Sequence, residues 1–115
     1  MASRVFPASN FLMPALGEPT RSVVTESPDA TVVAWYVLPG QCISSHVHPL
    51  GQDTWVVLSG VGEYALDATD KKLSIKSGDI VVARRGEIHG VCNVGPEALI
   101  FVAVVSPSAS GFELV

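Results

Sequence analysis

The chain has 115 residues, 48% of them hydrophobic and only 16% charged, with a formal charge of −4. That length suits one domain around one core, and its seven Lys and Arg residues are too scattered to form the basic footprint of a nucleic-acid binder. No apolar run reaches the roughly 18 residues of a membrane span. Pro7, Ser9, Asn10 and Pro14 interrupt the apolar stretch a signal peptide would need, so a cytoplasmic protein that engages neither nucleic acid nor membrane is expected.

Residues 1–20 hold three prolines and no sustained periodicity, and read as an irregular arm ahead of a β domain over 21–115. Strands are predicted over 22–26 and 31–38, both rich in β-branched residues, with Trp35 and Tyr36 in the second. Pro39-Gly40 ends the second; a strand over 42–48 follows, then a turn at Pro49-Leu50-Gly51 and a strand over 54–58 closed by Ser59-Gly60. Further strands are predicted over 63–66, 72–76, 80–83, 88–91 and 98–105, each set off by Gly, Pro, Asp or Ser turns. Short strands this evenly punctuated predict an all-β sandwich or barrel, and no stretch has the 3.6-residue period of a substantial helix. The tail over 106–115 turns apolar at Phe112, Leu114 and Val115 and is expected to dock on the barrel or on a partner. So apolar a composition in so short a chain also predicts partial coverage by a second copy.

Cys42 and Cys92 stand 50 residues apart and belong to no CxxC pair. In a reducing compartment they are expected to be buried thiols rather than a disulfide. Tyr36 and Tyr64 are the only phenols and are expected at the surface or rim, while Arg84-Arg85 reads as an exposed turn.

The three histidines are His46, His48 and His89. Residues two apart on a strand project from one face, about 7 Å apart along it, and two imidazoles leaning together can share a metal at about 2.0–2.1 Å each. Around them the spacing is Gly40, five residues, His46, one, His48, four, Asp53, six, Gly60; later come Gly78, seven, Gly86, two, His89, three, Asn93. These segments resemble the paired motifs of the cupin superfamily, G-x5-H-x-H-x(3,4)-E-x6-G and G-x5-P-x-G-x2-H-x3-N, and the 17 residues between Gly60 and Gly78 suit a minimal member.

The resemblance implies a double-stranded β-helix, a jelly-roll-like barrel, with one metal held by His46, His48 and His89. Two departures stand out: Arg84 replaces the motif's proline, and the motif's glutamate is missing. Counting back from Gly60 puts Asp53 in its place, whereas the shorter spacing from His48 puts Gln52 there. Adjacent strand residues face opposite ways, so one of the two is expected to point inward. Asp53 brings charge and Gln52 brings length; Gln52 is slightly favoured.

Three imidazoles and an oxygen suit a divalent transition metal: iron, nickel, manganese, zinc or copper. A small organic ligand or substrate would take the open positions, with Cys42, Ser44, Trp35, Trp55, Val57 and Val91 as candidate pocket residues. If all three histidines bind metal, none remains as a free general base, and the chemistry must rest on the metal. The resemblance then implies an oxygenase, isomerase or cyclase acting on a small organic molecule; the alternative is a non-catalytic small-molecule-binding module. It also implies a homodimer with an N-terminal strand crossing to the partner's sheet.

Overall fold

Residues 3–115 are described by the computed structural model of the chain; Met1 and Ala2, the first two residues of the expected arm, lie outside them. After a 3-10 turn at Ala8–Phe11, the chain forms β1 (Thr20–Glu26), β2 (Thr31–Val37), β3 (Cys42–Val47), β4 (Gln52–Ser59), β5 (Val61–Ala65), β6 (Lys72–Lys76), β7 (Ile80–Ala83), β8 (His89–Cys92), β9 (Leu99–Ser106) and β10 (Glu113–Leu114). Two antiparallel sheets result, one in the order β1-β2-β9-β4-β7 and the other β10-β3-β8-β5-β6. Strands consecutive in sequence, such as β2 and β3 or β8 and β9, lie in different sheets, which is the double-stranded β-helix. Among the described residues no helix is long and apolar enough to cross a membrane.

Period-two patterning makes the sandwich. In β9, Leu99, Phe101, Ala103 and Val105 are buried while Ile100, Val102 and Val104 are half-buried on the opposite face. The inward row meets Val33 and Val37 of β2, Trp55 and Val57 of β4, and Tyr64, Ile75 and Val91 of the second sheet. Trp55 stacks on Phe101 with centroids 4.2 Å apart and meets Tyr64 edge-on at 5.3 Å. Each such side chain contributes roughly 1.5–3 kcal/mol by leaving water, so this cluster dominates the stability of the barrel.

That packing corrects three expectations. Trp55, Val57 and Val91 are core residues, at 2% exposure each, and line no part of the cavity described below. Tyr64 is likewise buried rather than at the rim, and burial raises its phenol above the ordinary range. Cys42 and Cys92 are disulfide-bonded, not free thiols. They stand directly opposite each other on β3 and β8, a cross-strand placement that sequence separation does not reveal.

Turns place the site-bearing strands. Gly60 adopts φ 84°, and a Cβ there would run into the Ala98 carbonyl, so glycine alone allows the tight turn from β4 to β5. Gly86, at φ 75°, closes the turn before β8, and its N–H donates to the His48 carbonyl at 3.0 Å. Arg84, where the motif has proline, uses the N–H that proline lacks: it donates to Glu87 Oε1 at 2.7 Å. The turn thus replaces a φ restraint with a hydrogen bond.

A candidate metal centre between the sheets

Two strands of one sheet and one strand of the other supply the site. His46 lies on β3 and His89 on β8, paired across the ladder, and His48 follows just after β3. Asp53 comes from β4 in the opposite sheet. The β3–β8 register slips by one residue between Ile43 and His46, a bulge that re-aims the strand as it reaches the first histidine. Gly90 faces this bulge closely: a Cβ there would sit 2.8 Å from the Ile43 carbonyl oxygen.

His46, His48, Asp53 and His89 each offer one ligand atom, and these atoms all lie within 4.8 Å of one another. Bonds of about 2.1 Å around one ion bring donors to about 3–4 Å of each other, so modest closure suffices. His46, Asp53 and His89 are buried and His48 half-buried.

Each imidazole is held the same way. His46 Nδ1 donates to the Ser44 carbonyl at 2.7 Å, His89 Nδ1 to the Glu87 carbonyl at 3.1 Å, and His48 Nδ1 to the Gly111 carbonyl at 2.8 Å. A carbonyl can only accept, so each proton sits on Nδ1 and each Nε2 presents its lone pair in the neutral ring. Two of those atoms face Asp53 Oδ2, His89 Nε2 at 3.0 Å and His48 Nε2 at 3.4 Å. A carboxylate against two lone pairs is repulsive unless a cation, proton or metal, lies between them.

The electrostatics follow from this crowding. Burial would push the Asp53 carboxyl up, but a proton lying between it and His48 or His89 makes hydrogen bonds that outweigh this and bring it down to about 2. The Trp55 indole N–H also favours the carboxylate, though it meets no acceptor at hydrogen-bond geometry. Burial and the neighbouring His89 and His48 lower the His46 imidazole, whereas bonding to Asp53 raises that of His48. Asp53 Oδ1, wholly buried, has no hydrogen-bond partner. An orphaned anionic oxygen in an apolar interior is costly, and a bound cation would satisfy it. The donor set therefore fits a divalent metal.

A cavity of about 730 Å³ opens onto His46, His48 and Asp53, and Trp35, Cys42 and Ser44 also line it. Cys42 is exposed there, but its sulfur is committed to the disulfide. Gln52 takes no part in the cluster. It is exposed on the outer face of β4, where its Nε2 donates to Thr54 Oγ1 at 3.2 Å. The slight preference for Gln52 is thereby corrected: Asp53 shares the inward face with Trp55 and Val57, and the carboxylate is the residue among the imidazoles.

Asn93, the last position of the second motif, is a structural residue. Its buried side chain donates to the Val37 and Glu97 carbonyls at 2.9 and 2.8 Å and accepts from Gly95 N–H at 2.9 Å. Sequence reasoning missed the Glu87 and Gly111 carbonyls as histidine partners; backbone acceptors leave no trace in residue type. Phe112, whose ring centroid lies 4.9 Å from that of His46, was legible only as an apolar tail residue.

The profile of the cupin domain matches residues 33–105. The chain belongs to the cupin family. Among solved structures, this cupin is similar to an uncharacterized conserved protein with a double-stranded β-helix domain from Klebsiella pneumoniae: 49% identity, 99% of this chain and 98% of that one covered, TM-score 0.94. It also superposes on KdgF from Halomonas sp., at 23% identity with 90% and 94% covered and TM-score 0.75. A predicted oxalate decarboxylase from Thermotoga maritima gives the same TM-score of 0.75, at 21% identity with 90% and 99% covered. The last two likenesses are evidence of shared fold alone. No protein of curated function matches the sequence significantly.

Proposed function

We propose that this cupin holds a divalent first-row transition metal with His46, His48, Asp53 and His89 and acts on a small organic molecule bound in the adjoining cavity. The observation that carries this reading is the buried Asp53 carboxyl, with Oδ1 unpartnered and Oδ2 facing two Nε2 atoms whose partner Nδ1 atoms already hold protons. Iron, nickel, manganese, zinc and copper all accept such nitrogen and oxygen donors. The bound metal would supply Lewis acidity toward a substrate oxygen, in a reaction of oxygenase, isomerase or cyclase type. The chain's own contribution is to orient the imidazoles through three backbone carbonyls, to hold Asp53 ionised, and to shield the site with Trp35 and the apolar walls beside it.

The reading includes a homodimer, supported by the apolar outer face of the first sheet, and a cytoplasmic location without nucleic-acid or membrane partners. Within the chain β1 pairs with its own β2, and the arm is tied down by Gln41 Nε2 donating to the Ala15 carbonyl at 2.8 Å. In the cytoplasm Cys42 and Cys92 would be held largely as thiols, so the thiol count in freshly lysed cells tests the location.

Metal content by mass spectrometry, on protein purified without chelator or nickel resin, tests the central claim. Near-stoichiometric metal in the wild type and loss in His48→Ala are expected. A wild type that stays empty after reconstitution with each of the five metals would overturn the reading and leave a metal-free binding module.

A further inference from the structure

We propose that the C-terminal segment, residues 110–115, is a working part of the metal centre: the Gly111 carbonyl fixes the His48 imidazole and the Phe112 ring covers His46 and His48, so that docking of the segment and occupancy of the site stabilise each other. The proposal rests on the metal reading above and adds positioning residues to it.

The three histidines differ in where their Nδ1 partners come from. His46 and His89 donate to carbonyls two residues upstream, Ser44 and Glu87, and so are set once their own strands form. His48 donates to Gly111, 63 residues away, with Ser110 Oγ a second polar neighbour at 3.3 Å. Its ring is therefore oriented only while the tail is docked. Phe112 adds a wall, its centroid 4.9 Å from that of His46 and 6.2 Å from that of His48.

The docking itself is held mainly by backbone. Leu50 N–H donates to the Ser110 carbonyl at 2.8 Å and Val115 N–H to the Ser45 carbonyl at 3.2 Å. β10 pairs only two residues with β3, Glu113 with Val47 and Leu114 with His46. Gly51 lets Ser110 approach; a Cβ there would collide with the Ser110 side chain. Yet Phe112, Leu114 and Val115 remain 60%, 68% and 60% exposed, so little core burial anchors the segment. Few buried apolar contacts and short pairing define a region that opens far below the global unfolding free energy.

Coupling follows from chemistry. An imidazole whose Nε2 lone pair is engaged donates more strongly through Nδ1–H, which tightens the bond to Gly111. Conversely, a docked Gly111 holds Nε2 aimed at the cluster. Gly111, Phe112 and Leu114 also line the cavity, so release of the segment would open the site and loosen one of its ligands together. Binding free energies linked in this way are reciprocal.

The test compares the full chain, a chain ending at Ala109, Phe112→Ala and Phe112→Leu. Zinc affinity is measured by chelator competition, and cobalt(II) absorption reports the ligand field. Truncation is expected to weaken zinc binding by about 10–100-fold, the usual effect of losing a partner that orients a ligand, and to alter the cobalt spectrum. Phe112→Ala should weaken binding less, and Phe112→Leu should restore most of it. Hydrogen exchange on the full chain provides a measurement that survives misfolding of the truncation: zinc should slow exchange at Leu50 and Val115 N–H. Unchanged affinity and spectrum in a folded truncation, or zinc-independent exchange at both amides, would overturn the proposal while leaving the metal reading intact. A full chain that bound neither cobalt nor any of iron, nickel, manganese, zinc and copper would instead remove the metal reading, and this proposal with it.

Discussion

Asp53 and His89 are 36 residues apart in sequence and belong to opposite sheets, yet Asp53 Oδ2 lies 3.0 Å from His89 Nε2 in the buried interior. This is the only carboxylate among the described residues that joins the histidine cluster, and it bridges the two halves of the barrel. Asp53→Asn keeps the shape and removes the charge. It should weaken metal binding by more than the roughly 10–100-fold typical of outer partners, whereas Gln52→Ala should leave binding unchanged. Chelator competition on both variants checks the assignment; the reverse order would return the ligand role to Gln52.

The Cys42–Cys92 bond closes a loop between strands that each carry a site histidine. At a sequence separation of 50 residues, the chain-entropy model places its stabilisation at about 4 kcal/mol. The double variant Cys42→Ser, Cys92→Ser should therefore have a lower urea midpoint and a steeper slope, because its unfolded chain is less constrained. Adding reductant should bring the wild type to the same midpoint. A midpoint insensitive to reductant, with two titratable thiols in the native protein, would show that the bond does not form in solution.

Much of the fold was legible because period-two patterning and turn glycines are local properties. All nine predicted strands exist, two with the same ends and the rest with ends shifted by at most two residues. The histidines were legible for the same reason: two positions two apart on one strand must share a face. Asp53 was left open against Gln52 because motif counting depends on turn length. Parity with Trp55 and Val57, both inward, would have decided it. Depth along a strand is a different matter. Inward-facing Trp55, Val57 and Val91 look like pocket walls in sequence, but the cavity occupies only one end of the barrel. The disulfide and the tail's hold on His48 depend on pairing between distant segments, which residue type does not encode.

At the turn before β8, the hydrogen bond from Arg84 N–H to Glu87 Oε1 stands in for the proline of the family motif. Glu87→Ala should destabilise the protein by up to about 1 kcal/mol, a modest value because the carboxylate is partly exposed. In an Arg84→Pro background, where no N–H remains, Glu87→Ala should cost almost nothing. A double-mutant cycle from denaturant unfolding reads the difference. Equal costs in both backgrounds would mean that the bond contributes no coupling energy.

The outer face of the first sheet is the strongest support for self-association. Ladder pairing aligns Val32, Val104, Thr54 and Val82 in one row and Ala34, Val102, Val56 and Ile80 in the next. Ala34 is already buried within the chain, whereas Val32, Thr54, Val82, Val102 and Val104 are half-buried and Val56, Leu58 and Ile80 are exposed at 37%, 44% and 68%. A contiguous apolar face of this kind is uncommon on a monomer, and no charged residue interrupts either row. Pairing this face with its own copy would bury it symmetrically. Light scattering at micromolar concentration should give twice the mass of the chain. Val56→Lys with Val102→Lys should weaken self-association by about 2 kcal/mol or more, roughly 30-fold, because each lysine would bring a charge into the apolar contact. Metal affinity should stay unchanged, since neither residue lines the cavity. A monomeric wild type would refute the dimer, and a dimer indifferent to both lysines would move the interface to another face.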